Sequence, residues 1–106
     1  MKKQRAEIDL KSTNKPPPEY KLRLFITGAT PNSVRAITNI RNICESYLKD
    51  RYELQIIDVY QELALARQEQ LIALPLLIKK FPLPERKLIG DLSETEKVLK
   101  ALGVDM

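Results

Sequence analysis

The chain has 106 residues, 43% of them hydrophobic, and a formal net charge of +4, which suits one domain with a single modest core. It contains no histidine and a single cysteine, Cys44, which excludes an internal disulfide, a dithiol redox cycle, a multi-thiolate metal site and the usual general base. No apolar run approaches the roughly 18 residues of a membrane span, the basic start Met1-Lys2-Lys3-Gln4-Arg5 lacks the apolar run of a secretory signal, and one unpaired thiol suits a reducing cytoplasm.

Residues 1–23 hold seven basic and three acidic side chains, the whole of the excess charge, whereas residues 24–106 hold eleven of each. A uniformly basic nucleic-acid face is therefore not expected on the folded part. Residues 1–19 show no sustained periodicity and run into Pro16-Pro17-Pro18, a stiff polyproline spacer. They read as a mobile extension dispensable for folding, with the domain spanning 20–106. In that domain Tyr20, Leu22, Leu24 and Ile26 alternate with Lys21, Arg23, Phe25 and Thr27, a strand that turns fully apolar toward its end. Gly28-Ala29 turns the chain.

Thr30-Pro31 starts a helix, since a threonine hydroxyl can accept an orphan backbone N–H and proline has none to orphan. Ala36, Ile37, Ile40, Ile43, Cys44, Tyr47 and Leu48 recur at three- and four-residue spacing and predict one buried face. Cys44 on that face reads as a core residue rather than a reactive thiol. Leu54–Val59 reads as a second strand. Good helix formers follow over 62–70, with a weak stripe of Leu63, Ala66 and Leu71, predicting a short, partly exposed helix. Leu74–Ile78 reads as a third strand and Lys87–Ile89 as a fourth. The short link with Pro82 and Pro84 predicts an antiparallel hairpin. Ser93 and Glu96 have the spacing of a capping box. Val98, Leu99 and Leu102 share a face behind it, and Gly103 stands where a helix stops. The order is β-α-β-α-β-β-α, an α/β, thioredoxin-like arrangement: a mixed four-stranded sheet with helices on its faces.

Where thioredoxins carry Cys-x-x-Cys, at the junction of the first strand and first helix, this chain has Thr30-Pro31-Asn32-Ser33. Hydroxyls cannot exchange disulfides. The three glycines are isolated, so no phosphate-cradling loop exists, and Glu94 and Glu96 suit a helix start better than a catalytic pair. No catalytic residue, cofactor or metal is expected.

Residues 20–102 resemble the KaiB family of circadian-clock proteins. The resemblance is carried by Gly28-Ala29-Thr30-Pro31-Asn32-Ser33-Val34-Arg35-Ala36, by Ile57-Asp58-Val59, by Pro82-Leu83-Pro84, by Arg86-Lys87-Leu88-Ile89-Gly90-Asp91-Leu92-Ser93 and by Glu96-Lys97-Val98-Leu99. It implies a protein that binds the N-terminal ATPase ring of a hexameric KaiC-type ATPase and helps control its phosphorylation, with KaiA or a sensor histidine kinase as further partners. Departures at Glu62-Leu63, Gln70 and Ala73-Leu74-Pro75-Leu76, and the end of the chain at Met106 without an acidic tail, point to a divergent member, for which circadian timing and a simple timer or stress adaptation both stay open. The candidate contact residues are basic: Lys79, Lys80, Arg86 and Lys87 near the third and fourth strands, and Arg35 on the first helix. A second reading is a stand-alone sensory module like the KaiB-like domain of a clock histidine kinase.

The resemblance also implies two accessible folds, a tetrameric resting fold and a monomeric thioredoxin-like one, with self-association as dimer or tetramer open. The thioredoxin-like fold is expected here. Pro75 stands at the thioredoxin cis-proline position, which predicts a cis Leu74–Pro75 bond. Ser93, Glu96, Ala101 and Gly103 favour a terminal helix, since alanine in place of glycine favours helix by about 0.5–1 kcal/mol and a good cap by about 1 kcal/mol.

Overall fold

The computed structural model describes residues 17–69 and 74–104. The alternating segment forms strand β1, Tyr20–Ile26, with Leu22, Leu24, Phe25 and Ile26 buried. Residues buried on both faces mark a central strand, and β1 is flanked by β2 (Tyr52–Asp58) in parallel and by β3 (Leu76–Phe81) in antiparallel. Strand β4, Arg86–Ile89, pairs antiparallel with β3, giving the order β2-β1-β3-β4. Helix α1 is Pro31–Tyr47, α2 is Leu63–Gln68 and α3 is Thr95–Leu102. The element order is the one the sequence predicts.

The N-cap Thr30 has extended backbone, and its Oγ1 accepts the Ser33 N–H with Pro31 just inside the helix. Ala36, Ile40, Ile43 and Cys44 of α1 pack with Val98, Leu99 and Leu102 of α3 over Leu22, Leu24, Ile26 and Leu77 of the sheet. Burying each such aliphatic side chain contributes about 1.5–3 kcal/mol. Phe25, Ile57, Leu76 and Ile78 form a smaller cluster on the opposite face, under Leu65 of α2. Two expected stripe residues are not core. Tyr47, in the last turn of α1, is 42% exposed. In α2 Leu63 is exposed and Leu65 packs instead; α2 contributes no fully buried residue. Residues 70–73, including Gln70, Leu71 and Ala73, lie outside the described residues, as do most of the N-terminal extension and residues 105–106.

The C-terminal half departs from the sequence reading in detail. β3 starts at Leu76 and runs to Phe81, later than expected, because the buried Pro75 precedes the ladder and pairing with β1 and β4 carries the strand onward. The Leu74–Pro75 bond is cis as anticipated, and Phe81–Pro82 and Leu83–Pro84 are cis as well.

The capping box does not form: the N-cap of α3 is Glu94, without a side-chain cap bond, and Ser93 lies one residue outside. The Ser93 N–H instead donates to Asp91 Oδ1 at 3.1 Å, in a turn where Leu92 takes a left-handed φ of 62° and is buried. Burying Leu92 fixes the approach to α3 and displaces Ser93 from the cap position. Glu96 keeps a favourable place in the first turn, near the helix N-terminus. Ala101 is half-buried within α3. Gly103 stops the helix as expected: its φ is 80°, its N–H donates to the Lys100 carbonyl and that of Val104 to the Leu99 carbonyl. This is a Schellman motif, and Val104 packs against the core beside it.

Candidate functional site

The hydroxyls at the β1–α1 junction are structural. Thr30 Oγ1 donates to Ser33 Oγ at 2.8 Å, and Ser33 Oγ accepts the Thr27 backbone N–H at 3.2 Å, tying the end of β1 to the first turn of α1. Ser33 is fully buried. Its Oγ serves as acceptor for one backbone and one side-chain donor, and the chain contains no imidazole to take its proton. Cys44 is fully buried, and burial, with a smaller contribution from Glu45, pushes its thiol up to about 12. It stays protonated and inert. Among the described residues no group of acidic, histidine and cysteine side chains could hold a metal.

The five basic candidates do not form one face. Register sets Lys79 opposite Arg86 and Ile78 opposite Lys87. Alternation then sends Lys79 and Arg86 to the α1/α3 side, with Leu77 and Leu88, and Lys87 to the α2 side, with Ile78. Lys80 also reaches the α2 side. It is the extra residue where the β1–β3 register shifts, Leu22 pairing with Lys79 and Lys21 with Phe81.

Lys79, expected as a surface contact, is buried at 5% exposure. Its Nζ lies by the C-terminal end of α3, 3.8 Å from where a Cβ on Gly103 would sit. Helix carbonyls favour a cation there, but burial, and secondarily the nearby Arg86, lowers its pKa from the usual lysine value. Lys79 is thus a core lysine whose stem crosses apolar surface. Lys80 is committed too. Its Nζ sits 2.9 Å from Glu69 Oε2 and 3.2 Å from Glu85 Oε1, and these carboxylates, Glu69 first, raise its pKa against partial desolvation.

Arg35 is likewise engaged. Its Nε donates to Asp91 Oδ2 at 3.3 Å and its guanidinium also reaches Asn32 Oδ1. Asn39 donates to the Asp91 carbonyl at 2.8 Å. The Ser93 side-chain and backbone donors, and then Arg35, hold the Asp91 carboxyl below its usual value. Arg35 therefore anchors the β4–α3 turn to α1. Only Arg86 and Lys87 remain exposed and without a carboxylate partner among the described residues; Lys87 makes a long 3.5 Å contact from Nζ to the Glu69 carbonyl.

Two features escape a reading of the sequence. Glu69 is a hub, accepting from Arg23 at 3.3 Å and Lys80 at 2.9 Å with its side chain 10% exposed, and so pins the end of α2 to the sheet. These residues lie 46 and 11 positions from it, and no local pattern joins them. The second is apolar surface on the hairpin: Phe81, Leu83 and Ile89 are all about half exposed or more. An apolar residue at the open edge, alternating with the inward Leu88, is the one sequence signal that could have shown it.

Comparison with known proteins agrees with this arrangement. A KaiB domain model matches residues 23–104. The chain is 48% identical over 87 residues to the circadian clock oscillator protein KaiB of Picosynechococcus sp., covering 82% of each chain. In structure it is similar to the N-terminal domain of SasA from Synechococcus elongatus, with a TM-score of 0.66 at 22% identity over 83% of this chain and 87% of that one. It is also similar to a chloroplastic thioredoxin z, with a TM-score of 0.67 at 14% identity over 97% and 88%. The two structural likenesses establish a thioredoxin-like fold, and the sequence match establishes the family. The chain belongs to the KaiB family.

Proposed function

We propose that this chain is a non-enzymatic cytoplasmic regulator that binds a hexameric KaiC-like ATPase and modulates its ATPase and phosphorylation state, in circadian timing or stress adaptation. KaiA or a sensor histidine kinase would act as further partners in the same system. The observation that carries the reading is the pair Arg86 and Lys87. Both lie within the family-matching segment, on the edge strand, exposed and unneutralised among the described residues. Uncommitted cations at a rim steer an acidic partner and set the association rate more than the final affinity. Lys79 is buried, and Lys80 and Arg35 are committed to carboxylates of the same chain, so they are assigned no partner contact. A stand-alone sensory module ranks second, because identity to a clock KaiB is 48% against 22% to the SasA domain.

The test is surface-immobilised binding of the KaiC-like ATPase hexamer, in ATP and in ADP, to wild type and to R86E/K87E. The double reversal should slow association about ten-fold or more at low salt, with the two proteins converging as salt rises. An unchanged association rate and salt dependence would remove this surface from the contact.

A further inference from the structure

Among the described residues strand β4 is an edge, with β3 its only hydrogen-bonded neighbour in the sheet. The direction of its backbone groups follows from one bond. The Gly90 N–H donates to the Pro75 carbonyl at 3.0 Å, so Gly90 and Pro75 form a hydrogen-bonded pair. Antiparallel ladders alternate bonded and non-bonded pairs. Counting back along the register, Leu88–Leu77 and Arg86–Lys79 are bonded, whereas Ile89–Leu76 and Lys87–Ile78 are not. The N–H and C=O groups of Lys87 and Ile89 therefore point away from β3, toward the open edge.

The side chains of those two residues share the α2 face of the sheet, where Lys87 Nζ approaches the Glu69 carbonyl. Ile89 is 55% exposed and Lys87 is exposed. Four outward backbone groups, a free cation and an exposed apolar side chain two residues away make a small strand-addition seat. Charge chooses the occupant. A second copy of β4 would bring two Arg86 and two Lys87 residues to one seam, and basic side chains on an edge are the usual device against such pairing. An acidic strand meets no such repulsion.

We infer that β4 takes up an extended segment of a partner protein by strand addition, with an acidic side chain opposite Lys87 and an apolar one, two residues away, opposite Ile89. The inference rests on the reading that β4 is the partner-binding element and specifies how the contact is made.

The test uses the full chain, labelled with nitrogen-15, and two capped heptapeptides of alternating threonine and valine, one with a central glutamate and one with a central lysine. In each the valines flank the central residue at a spacing of two, which serves either strand direction. The glutamate peptide should bind at least ten-fold tighter than the lysine peptide. At saturation the amides of Lys87 and Ile89 should exchange at least ten-fold more slowly, while that of Leu88, already bonded to β3, stays unchanged. K87E should invert the peptide preference. I89P should abolish binding, since it removes an outward N–H and the apolar side chain without taking a donor from the β3 ladder; if I89P does not fold by circular dichroism, K87E decides the matter.

Equal affinity for the two peptides, protection on β2 in place of β4, or concentration-dependent protection of Lys87 and Ile89 without peptide would each overturn the inference. An ATPase that responds to R86E/K87E while neither peptide binds would sink strand addition and leave the functional reading standing. Peptide binding with no ATPase binding would do the reverse.

Discussion

Glu69 offers the sharpest measurement of what holds α2 in place. This helix is six residues long and buries none of them fully, and short isolated helices are marginal in water. Its attachment therefore depends on Leu65 and on the shared carboxylate. Glu69→Gln keeps the shape and removes the charge. At the 2.9 and 3.3 Å separations seen, unit charges in an effective dielectric near 20 attract by about 5 kcal/mol each, most of it offset by desolvation and side-chain ordering. Net, a hydrogen bond to a charged group contributes about 1.5–3 kcal/mol. The cations here are 31% exposed, which favours the low end. Glutamine keeps one neutral bond, and Lys80 keeps Glu85.

The expected loss is thus about 1–2 kcal/mol, a factor of roughly 5–30 in an opening equilibrium. Because α2 covers only the smaller cluster, the loss should appear as local opening. The amides of Ala66 and Glu69, bonded to the Glu62 and Leu65 carbonyls, should exchange about 5–30 times faster by hydrogen-exchange NMR, and those of β1 much less. Exchange at Ala66 and Glu69 within two-fold of wild type would refute the role of the carboxylate as a pin. Equal acceleration throughout β1 and β3 would show that α2 does not open on its own.

Lys79 gives a pH prediction. Its folded pKa lies below the unfolded value, so the unfolded chain binds more protons between the two. Stability should therefore rise as pH climbs through that window toward the ordinary lysine range, and carry the full penalty below it. Lys79→Met should flatten this rise and increase the melting temperature at neutral pH, at about 4–8 °C per kcal/mol; a stability that falls across the same window would contradict the assignment. At Gly103 the φ of 80° carries the whole cost of substitution, since an added Cβ meets only ordinary contact with Lys79 Nζ. Gly103→Ala should destabilise by about 1 kcal/mol, and Gly103→Asn by less. Denaturant melts check both, and a neutral alanine variant would mean that the Schellman stop is dispensable.

The sequence by itself determined what depends on neighbours along the chain. The start of α1 at Thr30-Pro31, its buried face through Cys44, the alternation of β1, the stop at Gly103 and the absence of redox chemistry at Thr30 and Ser33 are all local: each needs only a propensity, a cap or a residue type within a few positions. Taken in chain order, these local signals also supplied the thioredoxin-like order of elements. Tertiary structure decided what depends on register and burial. Nothing local distinguishes Lys79 from Lys80, yet a register shift and the end of α3 bury one and leave the other paired to Glu69. Pairing across the hairpin divides Lys79 and Arg86 from Lys87, which a linear reading groups together. Ser93 has the right spacing to cap α3, but the buried Leu92 and the Arg35–Asp91 anchor dictate where the chain enters the helix. In each case burial or pairing across elements decides, and along the strands period-two alternation turns one residue of register into a change of face.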